Sequence, residues 1–178
     1  DKILKNMNRK HTIQEYLEII KKLRIVRPNI KFSSDFIIGY PGETEDDFKK
    51  TLEIMKKVEF IGSYSFLFSA RPGTPAFDLK KNNESLSKER LIKFQNIAKQ
   101  IKTKYREKLI TRIIPVLFEN KTKDINKYFG RDEHFNSVIV SSQENLIGKT
   151  KNVKINKINQ NTLFGEIHLN LEEKNFAA

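Results

Sequence analysis

The stretch "KFSSDFIIGYPGETEDDF", residues 31–48, constrains the fold more than any other. Phe32, Ser34, Phe36 and Ile38 alternate with Ser33, Asp35 and Ile37, as one face of a β-strand does with the other. The strand runs through Gly39, Pro41 and Gly42 into a segment opened by Thr44 and acidic residues, the signature of a capped helix. A strand delivered through a glycine turn into a helix is the start of a βα unit, which brings parallel strands with it.

The flanking sequence repeats that grammar. "HTIQEYLEIIKKLRIVRPNI" predicts a helix with Thr12 as N-cap and Glu15 three residues on to close a capping box. Ile13, Tyr16, Leu17, Ile20 and Leu23 form its apolar stripe, and Pro28 ends it. The helix after Thr44 buries Leu52, Met55 and Val58, and "FIGSYSFLFS" is a second strand. Residues 69–85 read as a loop, and a long helix follows from about Ser87 to Leu109, with Leu91, Phe94, Ile97 or Ala98, Ile101, Tyr105 and Leu109 at helical spacing. Its exposed side is a run of Lys and Arg.

After Ile110 the pattern changes. "RIIPVLFE", "KYFGR", "FNSVIVSS", "KNVKINKI" and "TLFGEIHL" are short strands separated by Asn, Gly and Lys turns, the spacing of a small all-β barrel. The expected organisation is an α/β portion over 1–105, a barrel over 106–172 and a tail over 173–178, with no internal repeats. Two βα units neither close a barrel nor finish a doubly wound sheet, so the first portion is expected to be the C-terminal end of a larger α/β domain. The chain begins at Asp1 without an initiator Met and is expected to be a piece of something longer.

Composition narrows the partners. The 178 residues hold 34 Lys and Arg against 22 Asp and Glu, a net charge of +12, which points to a polyanion, nucleic acid first. The alternative is compositional bias alone, because Lys, Asn and Ile are abundant throughout the chain. There is no cysteine, so disulfides and thiolate metal sites are excluded within the chain, in keeping with a cytoplasmic setting. No apolar run reaches the ~18 residues of a membrane span, and no membrane partner is expected.

"GYPGE" lacks the Gly-Lys-Ser/Thr ending of a phosphate loop. The carboxylates of Glu43, Glu45, Asp46 and Asp47 complement the positive helix end and disfavour a strongly anionic ligand. The glycines serve either a turn that needs positive φ or a neutral or zwitterionic ligand lying on bare backbone. "FSARPGTPAFD" ends the next strand in a stiff loop whose fixed positive charge is Arg71, either a two-pronged carboxylate binder or a rim residue. Acid–base chemistry by Asp35 and Glu43 is disfavoured, because Glu43 is explained by the helix start and Asp35 by an inward polar hydrogen bond.

"MNRKHT", "SSDFIIGYPGETEDDF" and "YSFLFSARPGTPA" resemble the C-terminal half of the radical-SAM methylthiotransferases, most closely the MiaB-type branch that modifies isopentenylated adenosine 37 of tRNA. "YFGR", "NSVIVSS", "NLIGKTKNVKI" and "LFGEI", within residues 107–170, are similar to the TRAM domain that ends these enzymes. The resemblance implies the last βα units of a partial, TIM-like radical-SAM barrel followed by a TRAM barrel. It implies that Ser34, Asp35, Ile38, Gly39, Pro41, Gly42 and Glu43 help to seat S-adenosylmethionine, with Arg71 and Thr74 in a loop facing cofactor or substrate. It also implies that the TRAM barrel holds the tRNA anticodon arm. Lys121, Lys123, Arg131, Lys149, Lys151 and Lys154 are the phosphate-contact candidates, and Tyr128, Phe129 and Phe135 either stack on unpaired bases or fill the barrel core.

The family needs two [4Fe-4S] clusters held by cysteines, and this chain has none, so the ligands are expected upstream, in a missing N-terminal portion of the same protein. His11, His134 and His168 are too scattered to replace them. By itself the chain is expected to be catalytically inactive, supplying cofactor walls and RNA grip. The alternatives are an RNA-binding remnant of a split gene, or the same chemistry on a threonylcarbamoyladenosine tRNA or a ribosomal protein.

Overall fold

The computed structural model describes residues 1–168 and divides the chain into two compact units, one over Asp1–Lys102 and one from Thr103 onward. The expected tail at 173–178, and the last residues expected of the barrel, lie outside the described residues.

The first unit begins with the short helix α1 (Lys2–Asn6), followed by α2 (Ile13–Val26), β1 (Ser33–Ile38), α3 (Glu45–Val58) and β2 (Gly62–Leu67). Helix α4 (Glu84–Glu107) starts in this unit. The predicted capping box at Thr12 is present, and the predicted cap at Thr44 also forms a capping box, with Asp47. The Thr12 hydroxyl accepts from Glu15 N, the Thr44 hydroxyl accepts from Asp47 N, and each carboxylate takes the N–H of its cap in return. Asp47 therefore does the acidic work at the start of α3. Glu43 lies outside the helix, ahead of its cap, which corrects the reading of that residue as a helix-start charge.

Strands β1 and β2 pair in parallel, with Ser33 opposite Gly62, Asp35 opposite Tyr64 and Ile37 opposite Phe66. The alternation read from the sequence holds. Phe32, Phe36 and Ile38 face the helices and join Ile20, Phe48, Leu52, Met55, Val58, Phe60 and Phe94 in one apolar core. The opposite face of the two-stranded sheet is bare, leaving Tyr64 66% and Phe66 55% exposed.

The second unit contains the end of α4 and strands β3 (Ile113–Lys121), β4 (Lys127–Asp132), β5 (Ser137–Ser141), β6 (Thr150–Ile158) and β7 (Thr162–Ile167). All five predicted strands form, and they close in the order β3-β4-β5-β7-β6 with β6 returning to β3. Val116, Phe118, Tyr128, Val138, Val140, Leu146, Val153, Ile155 and Leu163 fill the interior. Closing so few strands requires strong coiling. β3 and β6 supply it with register shifts at Phe118/Asn120 and Ile155/Lys157. At Gly130 a Cβ would lie 2.5 Å from Leu117 O, so that crossing of β4 over β3 admits only glycine.

Candidate functional site

The glycine loop after β1 closes on its own neighbours. Gly39 has φ +79°, and a Cβ there would meet Ser87 Oγ at 2.6 Å, so it serves both a left-handed turn and the close approach of α4. Pro41 is buried, and Tyr40 is buried against Phe68 while its hydroxyl donates to Asn6 O at 2.9 Å. Asn82 bridges the turn, donating to Tyr40 O at 2.8 Å and accepting from Gly42 N at 3.3 Å. The backbone at Tyr40 and Gly42 is thus engaged by a side chain of the same unit.

Glu43 is buried at the centre of this arrangement. It accepts from Gly39 N at 3.1 Å and from Arg90 Nη1 at 2.9 Å. Arg90, also buried, reaches Glu45 at 3.1 Å and the Glu43 carbonyl at 3.2 Å. Burial pushes the Glu43 carboxyl above the usual carboxylate value, while the Gly39 N–H and the Arg90 guanidinium pull it back. This pair ties the loop to α4, a partnership of residues 47 apart that no local pattern signals.

The cofactor candidates accordingly separate. Ser34 and Ile38 lie on the helix-packed face of β1. Ile38 is fully buried and Ser34 is half-buried on the face packed by the helices, so neither faces an open site. Asp35 is exposed on the bare face, not directed inward as expected. Arg71 and Thr74 are exposed in the loop after β2, where the Thr74 hydroxyl donates to Arg71 O at 2.7 Å. Tyr64 and Phe66, which the sequence reading passed over, share the bare face with Asp35 and Ile37. Their signal was the alternation of "SYSFLF", which sets Tyr64 and Phe66 apart from Ser63 and Ser65.

In the second unit the basic candidates fall at two ends of the barrel. Lys121 pairs in register with Tyr128 at the end of β3, Lys123 sits in the β3–β4 turn, and Lys149 O accepts from Phe118 N at 3.0 Å. These three exposed lysines gather at one end. Ile125, 89% exposed, tops the same turn. Lys151 is half-buried in register with the core residue Val116 and faces the interior side of β6, so it is a poorer phosphate contact than the sequence implied. Lys154 pairs with Ile113 nearer the opposite end. Arg131, on the outer face of β4, lies 3.4 Å from Glu119 and packs over the Phe129 ring at 5.3 Å.

The aromatic candidates also divide. Tyr128 is 2% exposed and fills the core, so of its two readings the structure selects core filling over base stacking. Phe129 is half-buried in an outward row with Ile139 and Phe164 on the neighbouring strands. Phe135 is 79% exposed in the β4–β5 turn, at the barrel end away from Lys121, with φ +60°. Left-handed backbone costs a non-glycine residue roughly 1–2 kcal/mol, and Asn or Gly is its usual occupant. The β3–β4 turn uses Asn126 at φ +57° in that way.

Asp132 builds the Phe135 turn. Its carboxylate accepts from His134 N at 2.9 Å, Asn136 N at 2.8 Å and Asn136 Nδ2 at 2.8 Å. Arg106 braces it from below, donating to Asn136 Oδ1 at 3.2 Å and to the carbonyls of Gln160 and Asn161. Tyr105 lies 3.1 Å from His134 Nδ1, and burial with the nearby Asp132 charge pushes its phenol up to about 12. Among the described residues no group of three or more His, Cys, Asp or Glu side chains can hold a metal ion.

Residues 1–55 match the Radical SAM superfamily and residues 107–168 match the TRAM domain. The chain resembles the tRNA methylthiotransferases along nearly its whole length. A tRNA-2-methylthio-N(6)-dimethylallyladenosine synthase of Pelagibacter ubique is 51% identical over 167 residues, covering 94% of this chain and 37% of the relative. Synthases of the same name from Wolbachia pipientis wMel and Buchnera aphidicola subsp. Baizongia pistaciae are 41% and 44% identical, each over 93% of this chain and 38% of the relative. The chain thus spans little more than a third of the length of these curated relatives. The TRAM match coincides with the closed barrel, and the radical-SAM match takes in β1, the glycine loop and most of α3. No helix among the described residues is long and apolar enough to cross a membrane.

Proposed function

We propose that the chain is the C-terminal part of a cytoplasmic tRNA methylthiotransferase that converts N6-isopentenyladenosine 37 to its 2-methylthio derivative. Its first unit is then the end of a partial radical-SAM barrel, and its TRAM barrel grips the anticodon arm. The observation that carries this reading is the pairing, in one chain, of a radical-SAM strand and loop with a closed TRAM barrel bearing Lys121, Lys123 and Lys149 at one end.

The bare sheet face fits S-adenosylmethionine better than the glycine loop does. Tyr64 and Phe66 offer flat apolar surface for an adenine ring, and the exposed Asp35 carboxylate accepts from ribose hydroxyls or an ammonium group. The loop of Gly39, Pro41, Gly42 and Glu43 then acts from behind, holding the end of β1 in place through Arg90. Arg71 and Thr74 lie at the strand ends, where substrate-facing loops sit in α/β barrels. When bound, the cofactor supplies the radical precursor and the methyl group. The two [4Fe-4S] clusters do not fit this chain, which has no thiolate to ligate them, and their ligands belong to the rest of the polypeptide.

Exposed lysines at the end of a barrel neutralise phosphates and release counterions, so affinity falls as salt rises. Binding of an anticodon stem-loop RNA to the chain is expected to show a steep log–log salt dependence. Replacing Lys121, Lys123 and Lys149 together with Ala should lower that slope by about 2, at roughly 0.7–0.9 per phosphate contact. Affinity independent of salt, or a slope unchanged in the triple variant, would refute the phosphate grip.

A further inference from the structure

We infer that Phe135 is a base-stacking residue, held ready by the β4–β5 turn for an unpaired base of the RNA. This rests on the proposed RNA grip and adds to it a second contact, at the opposite end of the barrel from the lysines. Two features of Phe135 each work against folding. Its ring is 79% exposed and gains little from burial, and its backbone is held at φ +60°, where the matching turn of the same barrel uses Asn126. Sequence supplied the ordinary residue at one turn and a bulky aromatic at the other.

The turn is also built not to yield. Asp132 collects three hydrogen bonds within it, Phe135 N donates to Asp132 O at 3.0 Å, and Arg106 locks Asn136 from beneath. A strained conformation persists where its surroundings over-determine it, and such places gather at ligand sites. The chain neighbours of Phe135 are polar, with exposed Glu133 and half-buried His134 before it and buried Asn136 after it. A protein docking surface would be a contiguous apolar patch, whereas a rigidly presented ring flanked in sequence by polar residues suits one flat partner. Stacking also needs no phosphate at that spot, which agrees with the acidic neighbour.

The test measures affinity of the 178-residue chain for two RNAs with equal numbers of phosphates, a stem-loop with an open loop and a blunt duplex. Phe135→Ala should weaken the stem-loop about tenfold, within the range of one lost base–aromatic stack, and leave the duplex unchanged. Phe135→Trp should restore the stem-loop. Phe135→Gly should weaken it equally while keeping or raising the Tm, because glycine tolerates the left-handed backbone. Unchanged stem-loop affinity in Phe135→Ala, with the salt slope intact, would overturn the stacking alone and leave the ring to a protein partner. Equal weakening of both RNAs would also overturn it. Wild-type chain that binds neither RNA would overturn the RNA grip and the stacking together.

Discussion

The two units solve the same burial problem to different degrees. The five-stranded barrel closes on itself, so every strand has two neighbours and one continuous core fills the middle. The first unit covers one face of a two-stranded parallel sheet with helices and leaves the other bare, with Asp35, Ile37, Tyr64 and Phe66 in the open. Its α2 likewise exposes Ile19, Leu23 and Val26 at helical spacing. Parallel sheets are normally covered on both faces. The contrast teaches that the barrel is a finished module, whereas the first unit buries only one face of its sheet.

The largest effect is expected at Arg90, which pairs with both Glu43 and Glu45. Arg90→Ala leaves the buried Glu43 carboxylate without its guanidinium and frees the loop from α4. It should cost about 3–5 kcal/mol by chemical denaturation, the range for breaking a buried pair. Acidification should recover part of that loss. Burial already holds the Glu43 carboxyl above its usual value, so the group favours folding below the ordinary carboxylate range and costs stability as pH rises through its raised value. A loss that grew on acidification would mean that Glu43 is stabilised as an anion by other partners. At the small end, Phe66→Ser should change stability by less than about 0.5 kcal/mol, as surface substitutions do. A loss of several kcal/mol would show that the bare face is covered, by self-association of the chain for instance, and would erase the contrast between the units.

Much of this contrast could be read from the sequence, for reasons that differ by residue. Periodicity and capping are local, so Thr12, Thr44, the faces of β1 and all five barrel strands followed from residues within a few positions of each other. The partnership of Glu43 with Arg90, and that of Asn82 with the glycine loop, join distant segments and leave no local trace. That is why the sequence left a turn and a ligand site open for this loop, whereas the structure shows it tied to side chains from distant segments. The strand alternation had already separated Ser34 and Ile38 from Asp35, but a motif treated as a unit hid the consequence. Tyr128 and Phe135 are seven residues apart and chemically alike, yet one fills the core and the other stands in solvent. Strand register in a closed barrel decides that, and register is set by β-bulges and turn geometry that single residues do not announce.

The most direct test of the account is amide hydrogen exchange across the 178-residue chain, with and without an anticodon stem-loop RNA. The account predicts that RNA slows exchange in the turns around 121–126, 133–136 and 146–150, and leaves β1 and β2 unchanged. Protection confined to residues 1–102, with the barrel turns unaffected, would contradict the claim that the TRAM barrel is what grips the RNA.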